Sequence, residues 1–139
     1  MTFSPRSRDR KVNLTDGLLL DTHVFLWWQE NNPRLRKQTR QLIATADLVC
    51  VSAVSALEVA IKAAVGKLRL RAAFAEGVSQ SGFVELAIGF EHAAALGELP
   101  RHHADPFDRI LVAQSRVEGL ALVTHDQSFR LYDVPVVWA

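Results

Sequence analysis

The amino-acid sequence predicts a single α/β domain, a parallel sheet flanked by helices on both faces. Short apolar runs of strand length, bounded by polar residues or glycine, alternate along the chain with amphipathic stretches of helical spacing. Connections of that kind join strands running in the same direction, and parallel strands are buried on both faces. The length, 139 residues, is that of one domain with a sizeable core.

The opening stretch, "MTFSPRSRDRKVNLTD", is polar, contains Pro5 and follows neither apolar period. Residues 1–16 are therefore expected to form a flexible basic tail ahead of a domain over 17–139. "GLLLD" reads as a buried strand ending on Asp21, and "THVFLWWQE" as the helix after it. In "PRLRKQTRQLIATA", Pro33 suits a first helical turn, and Leu35, Gln38, Leu42 and Ile43 recur near helical spacing. "DLVCVS" is the second strand. Ser52 is a good N-cap for "AVSALEVAIKAAVGKL", which should stop near Gly66. "RAAFAEGVSQSG" reads as a short helix, "FVELAI" as the third strand and "GFEHAAALGELP" as a helix ended by Gly97 and Pro100. Asp105 as N-cap and Pro106 as first helical residue open "FDRILVAQSRVEG", which runs to Gly119. "LALVTHD" and "VPVVWA" complete the strands, with a short turn or helix, "QSFRLY", between them.

Composition narrows the function by exclusion. Sixteen Lys and Arg face fifteen Asp and Glu, a formal charge of +1, so net charge alone does not announce a nucleic-acid binder. Arg6, Arg8, Arg10 and Lys11 fall in the tail against Asp9 and Asp16, which leaves the body slightly acidic. Cys50 is the single cysteine. No intramolecular disulfide can form, a reducing compartment is favoured and a cytoplasmic location is expected. The N-terminus has no apolar signal core and no stretch reaches the roughly 18 apolar residues of a membrane span, so neither secretion nor membrane insertion is expected.

In an open parallel sheet, ligands sit beyond the carboxyl ends of the strands. Asp21 closes the first expected strand and Asp126 follows "LALVT", so both belong at that edge. Asp105 and Asp108 open a helix whose N-terminus faces the same way. Glu58 is the only acid in an otherwise apolar helix, on one stripe with Ser55 and Lys62. With that stripe turned to the crevice, carboxylates from four segments meet: Asp21, Glu58, Asp108 and Asp126. Crowded like charges raise one another's pKa and oppose folding unless a cation compensates, and hard oxygen donors select Mg²⁺ or Mn²⁺. Such an ion positions water and stabilises charge on a phosphodiester oxygen, so phosphodiester hydrolysis fits.

Each residue also has a plainer reading. Asp105, Pro106 and an acid at the third helical position make a sound helix start by themselves, and Asp108 complements the helix dipole. Glu58 can pair with Lys62 four residues on, and Asp21 and Asp126 suit caps or turns. His102, His103 and His125 match no zinc-site spacing and read as solvated loop residues. It is the set, in segments that should share one edge, that points to a site.

Four stretches in this order, "LLLDTHVFLWW", "VSAVSALEVAIKAAVGKL", "LPRHHADPFDRILVAQ" and "LVTHDQSF", resemble PIN-domain ribonucleases of the VapC toxin type, over roughly Gly17 to Trp138. The resemblance implies a PIN-like fold and carries the family's acidic site to Asp21, Glu58, Asp105, Asp108 and Asp126. Asp21, Glu58, Asp108 and Asp126 would bind the metal, with Asp105 either a ligand or only a helix cap. It implies a Mg²⁺- or Mn²⁺-dependent endoribonuclease, usually dimeric, the toxin of a type II toxin–antitoxin pair held inactive by a small VapB-like antitoxin. Thr22 and Ser55, beside these acids, are placed to hold a ligand or water by hydrogen bonds. Arg109, next to Asp108, can contact a phosphate or pair with an acid. Such toxins usually begin a few residues before the first aspartate. Here twenty residues precede Asp21, and this tail steers RNA, is disordered or comes from a start codon assigned too early.

Two other classes share part of this pattern. A phosphate-accepting receiver domain also clusters acids at a parallel-sheet edge but uses a lysine on a late strand. Lys11, Lys37, Lys62 and Lys67 all precede the C-terminal half. A non-catalytic PIN-like module, binding only RNA or an antitoxin, would keep the fold without the chemistry, and the intact acids speak against it. RNA contact would come from local basic groups: Arg34, Arg36, Lys37 and Arg40 on the second helix, and Lys62, Lys67, Arg69 and Arg71 in the region after it. A solvated helix face explains these equally well. Phe25, Leu26, Trp27 and Trp28 belong to the core, with part of that surface open to a dimer or antitoxin interface.

Overall fold

The computed structural model describes residues 17–66, 74–101 and 105–139. The expected tail over 1–16, the basic residues Lys67, Arg69 and Arg71, and His102 and His103 lie outside the described residues.

Five parallel strands form the sheet: β1 (Leu18–Leu20), β2 (Val49–Ser52), β3 (Val84–Leu86), β4 (Ala121–Thr124) and β5 (Val136–Trp138). Their spatial order is β3-β2-β1-β4-β5. Between them run the helices α1 (Thr22–Glu30), α2 (Lys37–Thr45), α3 (Ala53–Ala64), α4 (Phe74–Gln80), α5 (Phe90–Gly97) and α6 (Pro106–Glu118), and a 3₁₀ turn over Gln127–Leu131.

The two-residue period of the strands sorts the core into two layers. Leu18, Leu20, Val49, Val51, Ala121 and Val123 face one side, against Val24, Phe25 and Trp27 of α1, Ile43 of α2 and Val78 of α4. Leu19, Cys50 and Leu122 face the other, against Val54 of α3 and Leu111, Val112 and Ala113 of α6, with Ala95 and Leu96 of α5 packed at the margin. Helices thus cover both faces, as expected. All three leucines of β1 are fully buried, which is why the central strand reads as an unbroken apolar run. Truncating Leu19 to Ala would destabilise the domain by about 2–5 kcal/mol. Cys50 is buried in the same layer, and burial, with the charge of Glu118 adding to it, pushes its thiol up to about 11.

Local chemistry sets most element ends. The Ser52 hydroxyl accepts the Val54 N–H at 3.0 Å and starts α3. Asp105 starts α6, and Gly119, at φ 70°, ends it in the left-handed region that glycine adopts without strain. Two boundaries differ from expectation. Pro33 does not open α2. Asn31 closes α1 at φ 55°, the Asn32 side chain accepts the Arg34 N–H at 2.9 Å, and Leu35 N–H donates to Asn32 O at 3.1 Å. This side-chain-to-backbone turn takes up residues 31–35 and delays the helix to Lys37, so Arg34 and Arg36 precede α2 while Lys37 and Arg40 lie on it. Gly97 is the last residue of α5 rather than its stop.

The connections also place the crevice. After β1 the chain leaves toward β2, and after β4 it leaves the opposite way toward β5, so the carboxyl ends of these adjacent strands form a topological switch point. Leu20 is in register with Val123, and Asp21 N–H donates to Val123 O at 3.0 Å. No helix among the described residues is long and apolar enough to cross a membrane.

Candidate active site

A cleft of about 410 Å³ opens at this switch point, lined by Asp21, Thr22, His23, Glu58, Lys62, Asp105, Asp108, His125, Asp126 and Gln127. All five carboxylates expected at the site border it, delivered by the end of β1, the middle of α3, the start of α6 and the end of β4.

Asp21 and Glu58 form the floor. Asp21 caps α1: its Oδ1 accepts the Val24 N–H at 2.9 Å, and its Oδ2 accepts the hydroxyl of Thr124. That hydroxyl oxygen in turn accepts the Asp126 N–H at 3.0 Å, so Thr124 ties two acids together. Burial raises the Asp21 pKa, opposed by the Thr124 and Val24 hydrogen bonds and by the nearby His23 and His125. Glu58, only 6% exposed, has Oε1 at 2.7 Å from Thr22 Oγ1 and Oε2 at 2.7 Å from Lys62 Nζ. Thr22 Oγ1 also lies 2.8 Å from Ser55 Oγ. A carboxylate can only accept and a hydroxyl has one proton, so Thr22 donates to Glu58 and Ser55 donates to Thr22. The hydrogen-bonding capacity expected of Thr22 and Ser55 is thus directed at Glu58. The plainer pairing of Glu58 with Lys62 is also present, inside the cleft.

Asp105, Asp108 and Asp126 form the rim. Asp105 Oδ1 accepts the N–H groups of Phe107 at 2.9 Å and Asp108 at 3.3 Å, the helix-cap role that the sequence allowed, and its charge still faces the cleft. Asp126 Oδ1 accepts both the N–H and the hydroxyl of Ser128, at 3.0 and 2.9 Å. Asp108 is half-buried, and its carboxyl is pushed up to about 7, first by burial and then by the charges of Asp105, Asp126, Asp21 and Glu58. The Lys62 ammonium is shifted upward by its hydrogen bond to Glu58, with the charges of Glu58, Asp105 and Asp108 adding to it.

In kind, this donor set fits a hard divalent cation: it offers carboxylate oxygens whose mutual repulsion a cation would relieve. In placement the set stands open, for no three His, Cys, Asp or Glu side chains among the described residues converge closely enough to enclose an ion.

Of the described basic residues singled out from the sequence, Lys62 lines the cleft, whereas Arg109, Arg34, Arg36, Lys37 and Arg40 do not. Among the described residues Arg109 neither borders the cleft nor pairs with an acid; its guanidinium donates to Pro100 O at 2.7 Å and, at 3.4 Å, to Leu96 O and the Tyr132 hydroxyl. Arg36 donates to Trp138 O at 2.7 Å, and Arg40 to Trp27 O at 3.3 Å while lying over the Trp28 ring. Arg34 and Lys37 are exposed. The sequence reading missed Thr124, His23 and Gln127. Thr124 carried one available signal, a hydroxyl at the last position of a strand that an acid follows two residues later.

The chain matches the PIN domain family model over residues 18–135. It is 32% identical over 127 residues to Ribonuclease VapC22 of Mycobacterium tuberculosis, which spans 87% of this chain and 98% of that protein. Among solved structures, it resembles VapBC2 from Rickettsia felis bound to a promoter DNA fragment, with a TM-score of 0.64 at 13% identity over 88% of this chain and 98% of the other. A toxin–antitoxin complex from Klebsiella pneumoniae gives a TM-score of 0.62 at 20% identity, covering 86% of this chain and 95% of that one. The structural likenesses establish the fold. With the family model spanning nearly all of the described domain and a VapC protein matched along almost its whole length, the chain belongs to the PIN-domain family, in its VapC branch.

Proposed function

We propose that this chain is a Mg²⁺- or Mn²⁺-dependent endoribonuclease, the toxin of a type II toxin–antitoxin pair acting in the cytoplasm. The observation behind this reading is the gathering of five carboxylates in one cleft, where burial and mutual repulsion lift Asp108 to about 7. The identity to a relative named as a ribonuclease supports RNA as the substrate.

Asp21, Glu58, Asp108 and Asp126 would hold the ion, which supplies charge neutralisation at a phosphodiester and a more acidic water. The residues of this chain set the conditions for that chemistry. Val24, Thr124 and Thr22 aim the floor carboxylates through donors that the fold itself fixes. Asp108, near neutral in pKa, keeps a proton at pH 6 that cation binding would expel, so ion uptake and deprotonation of its carboxyl are linked. Lys62 presents an ammonium to the same cleft and offsets part of its negative charge.

A small antitoxin and a second copy of the chain are the expected protein partners. Leu57 and Ile61 on one stripe of α3 and Val65 just past its end are 49%, 46% and 63% exposed, apolar surface of the kind that partner interfaces cover. Structural neighbours that are toxin–antitoxin complexes support the antitoxin.

The deciding experiment incubates purified, antitoxin-free protein with total RNA and Mg²⁺ or Mn²⁺, beside EDTA and Asp108→Asn controls, and maps new 5′ ends. Discrete cuts that need both the metal and Asp108 support the nuclease. Uncut RNA from folded protein that still binds an antitoxin would replace it with the non-catalytic module.

A further inference from the structure

One buried indole gathers three exposed groups beside the cleft. The ring centroid of His125 lies 4.8 Å from that of Trp27, edge to face at 61°. His23 stands 6.5 Å from the same ring, tilted at 47°, and the Arg34 guanidinium lies 5.9 Å over it. The three come from the end of β4, the first turn of α1 and the turn ahead of α2; helix spacing alone sets His23 beside Trp27, four residues on, whereas His125 arrives only through the pairing of β4 with β1. His23, His125 and Arg34 are exposed, whereas Trp27 is buried. Both histidines line the cleft, next to Asp21 and Asp126.

Core packing accounts for Trp27 but not for what it supports. Two imidazoles and a guanidinium are planar groups with open π faces, the surfaces on which unpaired nucleobases stack and which bases inside a duplex do not reach. A ring held edge to face leaves at least one of the two His125 faces uncovered by Trp27. His125 and Asp126 are consecutive, their Cα atoms about 3.8 Å apart, so a base on the imidazole and a phosphate at the carboxylates can belong to one nucleotide step.

We propose that His125, braced by Trp27, seats the unpaired base next to the phosphate held at the carboxylates, with Arg34 and His23 flanking that nucleotide. This rests on the nuclease reading and sharpens it: the RNA is single-stranded at the cut, and His125 is a positioning residue. Stacking needs a ring and not a titrating nitrogen, so phenylalanine should replace the histidine.

The test titrates full-length Asp108→Asn protein, and wild-type protein in EDTA, into a single-stranded oligoribonucleotide carrying 2-aminopurine at successive positions. Quenching is expected at one position. It persists with His125→Phe and is lost with His125→Ala and His125→Gln, which weaken binding about ten-fold. The melting temperature stays unchanged, and the same sequence as a duplex gives no quench. Equal quenching and affinity in His125→Ala, or equal binding of the duplex, would overturn the inference. Wild-type and His125→Ala proteins cutting RNA alike, without a quench, would remove the stacking site and leave the nuclease standing. If wild-type protein cuts nothing, the nuclease reading falls, and the quench still decides whether His125 seats a base.

Discussion

Asp21 and Glu58, on the floor of the cleft, are buried and each oxygen of either carboxylate has a donor fixed by the fold. Asp105 and Asp126, on the rim, are exposed, and Asp108 between them is held near neutral pKa by burial and by its acidic neighbours. Floor geometry is therefore set before any ion arrives, while the rim carries charge that responds to ions and to protons. Substitutions on the floor should act through position, and substitutions on the rim through charge.

The sharpest break is expected from Asp21→Asn or Glu58→Gln, which should lower RNA cleavage on the order of 1000-fold while circular dichroism shows a folded protein. Cleavage at the wild-type rate by either variant would remove the floor from the chemistry. Next comes Thr22→Val, which leaves both carboxylates in place but takes the hydroxyl from Glu58. A loss of about 10- to 100-fold in Mn²⁺ affinity, read by calorimetric titration, is expected.

The rim should show itself in pH dependence. Between the ordinary carboxyl value of 3.8 and about 7, folded Asp108 holds a proton that the unfolded chain has released. Stability without added metal should thus fall as pH rises through that window and level off above it. Asp108→Asn removes this slope: the variant should melt on the order of 4 °C above wild type at pH 8, and close to it at pH 4. Added Mn²⁺ should raise the wild-type melting temperature more at pH 8 than at pH 5, because protons compete for the same carboxylate. A flat comparison across pH would mean that rim charge is already balanced. The smallest effect belongs to Asp105. Asp105→Ala should destabilise by about 1 kcal/mol through the lost cap, whereas Asp105→Ser keeps a capping oxygen and should stay within about 0.5 kcal/mol of wild type. Abolished cleavage in Asp105→Ser would instead place Asp105 with the ligands.

What could be read from the sequence follows the range of the interactions. Leu18–Leu20 and Ala121–Thr124 announce buried strands, Asp21, Asp108 and Asp126 follow from where local elements begin and end, and Glu58 from its stripe on an otherwise apolar helix. The role of Thr124 is only hinted at by its place at a strand end, because its bond to Asp21 spans 103 residues and exists only once β4 pairs with β1. The arrival of His125 on Trp27, 98 residues away, is hidden for the same reason, whereas His23 is a helical neighbour of that ring. Pro33 misled because a turn held by the Asn32 side chain competes with the helix start that proline favours. Arg36 and Arg109 look like phosphate contacts in the sequence, yet they reach backbone carbonyls of Trp138 and Pro100, partners that no spacing announces.

Cys50 turns the core into its own reporter. Its thiol lies under α6 against the central sheet, and a group pushed up to about 11 is almost entirely un-ionised at neutral pH. A maleimide or disulfide reagent should therefore leave the native protein unmarked, and covalent dimers should not form in air. Every labelled molecule will be one whose sheet has opened, so the labelling rate in native buffer, with and without Mn²⁺, measures whether the ion holds the domain closed.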